Sequence, residues 1–121
     1  MAPALALIVE DDPKLADIFV KALSSAGYQS ESVPDGQRAL ARLAEIVPAI
    51  VILDLHLPHL SGKEILTHIR TDARLASTRV MLTTADALMA ESLRKDSDLV
   101  LLKPISFTQL RELALRYHPR D

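Results

Sequence analysis

The sequence predicts an α/β fold in which a five-stranded parallel sheet is covered by helices on both faces. Apolar runs of strand length alternate with segments of helical period five times along the chain. Most of these runs have no polar face, which is typical of parallel strands buried on both sides. The 121 residues correspond to a single domain spanning residues 1–121, and 49% of them are apolar, which is enough to build its core.

The first unit of strand and helix is the most clearly marked. Residues 5–9 are a continuous apolar run and predict a buried strand. Asp12 is placed to cap a helix, and Pro13 suits the first position of that helix. Apolar residues then recur at helical spacing until Gly27 ends the helix. Residues 28–33 are polar for a strand, so we expect this second strand at an edge of the sheet.

The middle units carry equally specific start signals. Residues 35–36, Asp-Gly, open the second helix. Residues 49–53 form a fully apolar third strand, which runs directly into Asp54. A loop follows, and Ser61 and Glu64 then have the spacing of a capping box, which predicts the start of a third helix.

The last two units are shorter. Residues 79–83 predict the fourth strand, and residues 99–102 the fifth. Between them we predict only a short helix, over about residues 86–96. Ser106 and Gln109 form another capping box, which begins the last helix.

Composition excludes several classes of partner. Lys and Arg total 14 against 16 Asp and Glu, a net charge of −2, so the chain lacks the basic excess that nucleic-acid binding requires. No apolar run approaches the roughly 18–20 residues of a membrane span. The chain has no cysteine, which excludes disulfides, thiolate zinc sites and thiol nucleophiles. We therefore expect a cytoplasmic protein that binds neither nucleic acid directly nor membrane.

Polar side chains follow the strands at the points where the strands end. They are Glu10, Asp11 and Asp12 after the first strand, Asp54 after the third, Thr83 and Thr84 at the end of the fourth, and Lys103 after the fifth. In a parallel sheet these ends meet at one edge, where ligands bind. Crowded carboxylates repel one another, and a hard divalent cation such as Mg²⁺ relieves that repulsion.

This set of groups suits phosphoryl transfer, which depends mainly on positioning and charge neutralisation. Asp54 can attack as a nucleophile, while Mg²⁺, Lys103 and the hydroxyl of Thr84 interact with phosphoryl oxygens. The residues alone leave other interpretations open. Glu10 and Asp11 could be surface turn residues, and Lys103 could be only a salt-bridge partner of Asp11. Either Thr83 or Thr84 could supply the hydroxyl that interacts with a phosphoryl oxygen.

The sequence resembles the receiver domain of bacterial two-component response regulators. The resemblance extends over residues 5–118 and rests on five segments that occur in the family's order and spacing. They are LIVEDD at 7–12, DGQRAL at 35–40, VILDLHLPHLSG at 51–62, VMLTTA at 80–85 and LLKP at 101–104. The resemblance implies a doubly wound, flavodoxin-like sheet with strand order 2-1-3-4-5.

The resemblance also implies a role for each site residue. The implied Mg²⁺ ligands are Glu10, Asp11, Asp54 and the backbone carbonyl of His56, with Asp11 a direct ligand. The implied groups at the phosphoryl site are the acceptor Asp54, the switch hydroxyl of Thr84 and the ammonium of Lys103. The peptide bond from this lysine to Pro104 is commonly cis in the family. Asp12 falls at a variable position and is interpreted first as a helix cap.

A receiver domain is a signalling domain rather than an enzyme. The resemblance implies phosphorylation by a sensor histidine kinase or phosphotransfer protein, and an unknown downstream protein that contacts helix 4, strand 5 and helix 5. The same surface offers a homodimer contact. Val100 stands where the family usually has an aromatic, so the inward swing of that aromatic cannot occur here. The segment from Thr84 to Lys103 is also shorter than usual, which predicts a short or irregular fourth helix.

Two alternative functions remain open from the sequence. The first is a degenerate receiver that acts as a phosphorylation-independent interaction module. The second is a phosphatase of the haloacid-dehalogenase type. Such enzymes use a second acidic residue, two positions after the nucleophile, as a general acid, and this chain has His56 at that position. His56 and His59 are weak evidence for zinc. The side chain of His56 is nevertheless expected to flank the phosphoryl site.

Overall fold

The computed structural model describes residues 3–119 and has a five-stranded sheet at its centre. The strands are β1 (Leu5–Val9), β2 (Gln29–Val33), β3 (Ile50–Asp54), β4 (Arg79–Thr84) and β5 (Leu99–Leu102). Every neighbouring pair is parallel, and the order across the sheet is β2-β1-β3-β4-β5. The predicted fold class and the strand order implied by the resemblance are both confirmed.

Five α-helices lie between and after the strands within this described range. They are α1 (Pro13–Ser25), α2 (Gly36–Leu43), α3 (Gly62–Thr71), α4 (Ala87–Ser92) and α5 (Phe107–Arg116). Short 3₁₀ turns at Ala73–Leu75 and Arg94–Asp96 follow α3 and α4. The fourth helix has six residues and continues only as a 3₁₀ turn, so the prediction of a short or irregular helix is confirmed.

The helix boundaries follow the capping signals of the sequence. Asp12 Oδ1 accepts a hydrogen bond from the N–H of Lys14 at 2.9 Å and caps α1. Ser61 Oγ and Ser106 Oγ each accept one from the N–H three residues further on, at 3.3 and 3.0 Å. After α1, Gly27 has φ +95°, a conformation that an L side chain rarely adopts.

The sheet separates two apolar cores. Phe19 and Leu110 belong to the core on one face, beneath α1 and α5. Leu43 and Ile69 belong to the core on the other face, beneath α2, α3 and α4. Successive residues of each central strand point into alternate cores, because side chains of a β-strand alternate between the faces of its sheet. This arrangement explains why the central strands are apolar without interruption.

The positions of β2 and β3 in the sheet match their sequences. β2 lies at an edge and is partly exposed, as its polar sequence predicts. β3 lies at the centre, and all five of its residues are buried, including Asp54 at its carboxyl end. The strand order reverses direction between β1 and β3, which is where parallel α/β sheets bind ligands. Within residues 3–119, no helix combines the length and apolar character that crossing a bilayer requires.

Candidate functional site

The acidic residues converge where β1 and β3 end. Glu10 and Asp11 follow β1, and Asp54 is the last residue of β3. One carboxylate oxygen from each of these three side chains lies within 4.8 Å of the other two. Glu10 and Asp54 are buried and Asp11 is exposed. Three clustered oxygen donors, one open to solvent, fit a hard cation that keeps part of its water shell, as Mg²⁺ does.

Lys103 completes the acidic cluster from the other side. Its Nζ lies 3.0 Å from Glu10 Oε1 and 3.3 Å from Asp54 Oδ2. The observed partners are therefore Glu10 and Asp54, whereas the sequence alone left a pairing with Asp11 open. The bond from Lys103 to Pro104 is cis, as the resemblance implied. Burial would lower the pKa of Lys103, but the hydrogen bond to Glu10 and the charge of Asp54 outweigh it and raise that pKa.

Glu10 is the group whose ionisation the site perturbs most clearly. Burial, reinforced by the negative charge of Asp54, raises the pKa of Glu10 from 4.5 to about 7. The N–H of Asp12, which donates to Glu10 Oε2 at 3.1 Å, and the ammonium of Lys103 act in the opposite direction. A second cation in the cluster would favour the ionised carboxylate, so the proton on Glu10 and a bound metal compete.

The carboxylate of Asp54 is held at both oxygens. Oδ1 accepts a hydrogen bond from the backbone N–H of His56 at 2.9 Å, and Oδ2 faces Lys103. The start of α3 packs closely behind this strand end: a Cβ on Gly62 would lie 2.7 Å from Leu55 Cα. Only glycine fits that contact without a backbone shift. Gly62 is the last residue of the VILDLHLPHLSG segment, but the sequence alone does not show how closely the start of α3 approaches the end of β3.

Two threonines end β4, and their surroundings differ. Thr84 is fully buried, and its Oγ1 accepts a hydrogen bond from the N–H of Asp86 at 3.0 Å. The Nε2 of His56 lies 2.9 Å from the same Oγ1. Thr83 is a buried strand residue beside Asp54 in the sheet register, and its Oγ1 has no hydrogen-bond partner among residues 3–119.

The structure thus brings the predicted site residues into two connected groups. Glu10, Asp11, Asp54 and Lys103 form the acidic cluster with its lysine, and His56 and Thr84 form a hydrogen-bonded pair at its rim. The backbone N–H of His56 links the pair to the cluster. The contact between the His56 ring and Thr84 was not predicted from the sequence, because nothing in the spacing of residues 56 and 84 reveals the direction of an exposed side chain.

The fold and this site define a receiver-type signalling domain, and comparison with known proteins identifies its family. The family described as "Response regulator receiver domain" matches residues 6–115. The chain belongs to this family, whose members act in two-component systems. A solved response regulator receiver domain (CheY-like) from Methylobacillus flagellatus superposes with a TM-score of 0.86. It is 24% identical, and the match covers 97% of this chain and 100% of that one.

Sequence relatives include longer regulators. The transcriptional regulatory protein TrcR of Mycobacterium tuberculosis is 32% identical over 111 residues, which cover 90% of this chain and 43% of TrcR. The DNA-binding response regulator MtrA of Mycolicibacterium smegmatis is 29% identical over 114 residues, covering 94% of this chain and 49% of MtrA. The chain therefore spans less than half the length of these curated relatives.

Proposed function

We propose that this receiver domain accepts a phosphoryl group on Asp54 from a sensor histidine kinase or a phosphotransfer protein, in the presence of Mg²⁺, and thereby switches a protein-interaction surface. The observation that carries the proposal is the buried carboxylate of Asp54, held 3.3 Å from the Lys103 ammonium and beside two further carboxylates. This arrangement combines a nucleophile with fixed cationic stabilisation, which is what phosphoryl transfer requires.

The proposed metal ligands are the carboxylates of Glu10, Asp11 and Asp54 together with the backbone carbonyl of His56. When bound there, Mg²⁺ would supply positive charge against phosphoryl oxygens. The three carboxylates fit this role because one oxygen from each lies within 4.8 Å of the other two. Lys103 neutralises part of the same negative charge and holds Asp54 in place.

In the proposed reaction an oxygen of Asp54 attacks the phosphorus of a phosphohistidine. An O–P bond forms, the N–P bond breaks, and the donor imidazole leaves with the electron pair of that bond. Lys103 donates to a phosphoryl oxygen, and its raised pKa keeps it charged for that purpose. The hydroxyl of Thr84 donates to another phosphoryl oxygen after it turns toward the modified aspartate.

The proposed output surface consists of α4, β5 and α5. Leu88, Leu102 and Phe107, one from each element, are 85%, 51% and 39% exposed. Exposed apolar side chains on neighbouring elements suit a protein partner or a second copy of the chain. Thr84 is connected to this surface by a single hydrogen bond, because its Oγ1 accepts a hydrogen bond from the N–H of Asp86, the residue that caps α4.

Residues 1–121 are proposed to act as one receiver domain in the cytoplasm that catalyses only its own phosphorylation and dephosphorylation. TrcR is a transcriptional regulator and MtrA a DNA-binding one, and both extend well beyond the region matched here. With a net charge of −2, this chain is proposed to contact proteins rather than nucleic acid directly.

Intact-mass spectrometry after incubation with acetyl phosphate, with and without Mg²⁺, tests the proposal. We expect one phosphoryl adduct that requires Mg²⁺ and does not form on Asp54→Asn. Two features favour the second candidate, a phosphorylation-independent interaction module: Val100 replaces the usual switch aromatic, and α4 has only six residues. A chain that binds Mg²⁺ but takes up no phosphoryl group would support that second candidate.

A further inference from the structure

The hydroxyl of Thr84 has two close partners in this structure. Its Oγ1 accepts a hydrogen bond from the N–H of Asp86 at 3.0 Å and lies 2.9 Å from Nε2 of His56. Thr84 is fully buried, whereas His56 is exposed and lies in the loop after β3. The His56 ring therefore connects the end of β4 to this loop, whose His56 N–H also donates a hydrogen bond to Asp54.

A threonine hydroxyl offers one hydrogen and two acceptor lone pairs. The Asp86 N–H occupies one lone pair. Where Nε2 of His56 is unprotonated, it takes the only hydrogen of the hydroxyl. Where Nε2 carries a hydrogen, it fills the second lone pair. In either tautomer, turning the hydroxyl of Thr84 away from its present position breaks the contact with His56.

We propose that the His56 imidazole is a positioning residue that holds Thr84 in its resting orientation, so that phosphorylation of Asp54 has to break the His56–Thr84 hydrogen bond. This inference rests on the proposed function, in which Thr84 donates to the phosphoryl group. The His56–Thr84 hydrogen bond opposes activation, because it forms only in the resting orientation and is broken when the Thr84 hydroxyl turns toward the phosphoryl group. Removing it should favour the active state by about two- to tenfold, the effect of one net hydrogen bond.

A residue that holds Thr84 in its resting orientation has a different effect from a residue that changes only the hydrolysis of the phosphoryl group. A resting hydrogen bond changes the equilibrium between the two states, and hence the affinity for an analogue that is never hydrolysed. An effect on hydrolysis alone would change the lifetime of phosphorylated Asp54 and leave that affinity unchanged. Beryllofluoride, a phosphoryl mimic that binds an aspartate carboxylate, distinguishes the two.

The test measures half-saturation by beryllofluoride in the presence of Mg²⁺ for the whole chain and three variants. His56→Phe keeps a ring of similar shape but has no nitrogen, and we expect it to bind the mimic about two- to tenfold more tightly. His56→Gln places an amide nitrogen near the position of Nε2 and should restore the wild-type value. His59→Asn is the matched control on the same loop, because asparagine tolerates the φ of +65° found there.

A double-mutant comparison assigns the effect to the hydroxyl. In a Thr84→Val background, His56→Phe should no longer change the affinity for beryllofluoride, because the bond is already absent. Equal affinity in wild type and His56→Phe would overturn the proposal. So would an effect of His56→Phe that persists unchanged in the Thr84→Val background.

A readout in the unphosphorylated protein keeps this proposal distinct from the proposed function. Three-bond NMR couplings to the Thr84 methyl group report whether its side chain occupies one rotamer or several. We expect one rotamer in wild type and His56→Gln, and averaging in His56→Phe. Averaging in wild type would overturn the inference about His56 even if Asp54 is phosphorylated. A wild type that binds no beryllofluoride, yet shows the expected couplings, would instead contradict the proposed function.

Discussion

Ionisation of Glu10 should make the stability of the fold depend on pH in a defined window. The side chain is buried, and that burial, together with the charge of Asp54, raises its pKa to about 7 from the ordinary value of 4.5. The folded protein therefore keeps a proton that the unfolded chain releases as the pH rises through 4.5. The free energy of unfolding should then fall as the pH rises from 4.5 to about 7 and level off above it.

The separation of the two pKa values sets the size of the effect. The free energy of unfolding should decrease by at most about 3 kcal/mol, since one pKa unit is worth about 1.4 kcal/mol. The ammonium of Lys103, 3.0 Å from Glu10 Oε1, is already included in the balance that gives the raised pKa of Glu10. The fall is the cost of ionising a second carboxylate beside Asp54 in a buried site that holds one lysine.

Urea denaturation across this pH range measures the effect, with Glu10→Gln as the matched variant. The amide has the shape of the carboxyl group but does not titrate. Other titrating groups, including the histidines, are present in both proteins, so the difference between the two curves isolates Glu10. We expect wild type to lose up to about 3 kcal/mol more than Glu10→Gln between pH 4.5 and about pH 7. Parallel curves would show that the pKa of Glu10 is not raised in the folded protein.

Three further predictions concern groups around the site and can be checked by urea denaturation at neutral pH. Thr83→Val removes a buried hydroxyl with no hydrogen-bond partner among residues 3–119 and should stabilise the fold by about 1 kcal/mol. Thr78→Val instead removes a 2.7 Å hydrogen bond to a backbone carbonyl and should destabilise the fold by about 1–2 kcal/mol. Equal effects of the two substitutions would contradict this prediction. Gly62→Ala should cost about 1–3 kcal/mol through backbone overpacking and weaken Mg²⁺ binding, and a neutral result would show that α3 shifts freely. Lys103→Met leaves the buried carboxylate of Asp54 and the carboxyl group of Glu10 without their cation and should cost about 3 kcal/mol, part of which added Mg²⁺ restores. A loss that Mg²⁺ leaves unchanged would argue against a shared site with Glu10.

Most of the fold could be predicted from the sequence because its signals are local. Strand β3 is apolar without interruption, and helix starts such as Ser61 carry their own caps. The polar strand 29–33 could be placed at an edge for the same reason. The strand order could not be derived from periodicity. It came from the resemblance to the receiver family, because many sheet orders satisfy the same alternation of strands and helices.

The site was predictable to the level of residue type and place, since the end of a parallel strand fixes where the next residue lies. Glu10, Asp54 and Lys103 meet for that reason. The raised pKa of Glu10 and the close packing of Gly62 could not be foreseen, because both depend on the depth of burial in three dimensions. The bond between the His56 ring and Thr84 depends on a side-chain rotamer, which no local pattern specifies.

Locating the modified residue tests whether Asp54 is the phosphoacceptor. Borohydride reduces an aspartyl phosphate to homoserine, which peptide mass spectrometry assigns to one position. After incubation with acetyl phosphate and Mg²⁺, we expect homoserine at position 54 and no reduction when either reagent is omitted. Homoserine at position 11 or 12 instead, or at no position while Mg²⁺ binds normally, would contradict that role for Asp54.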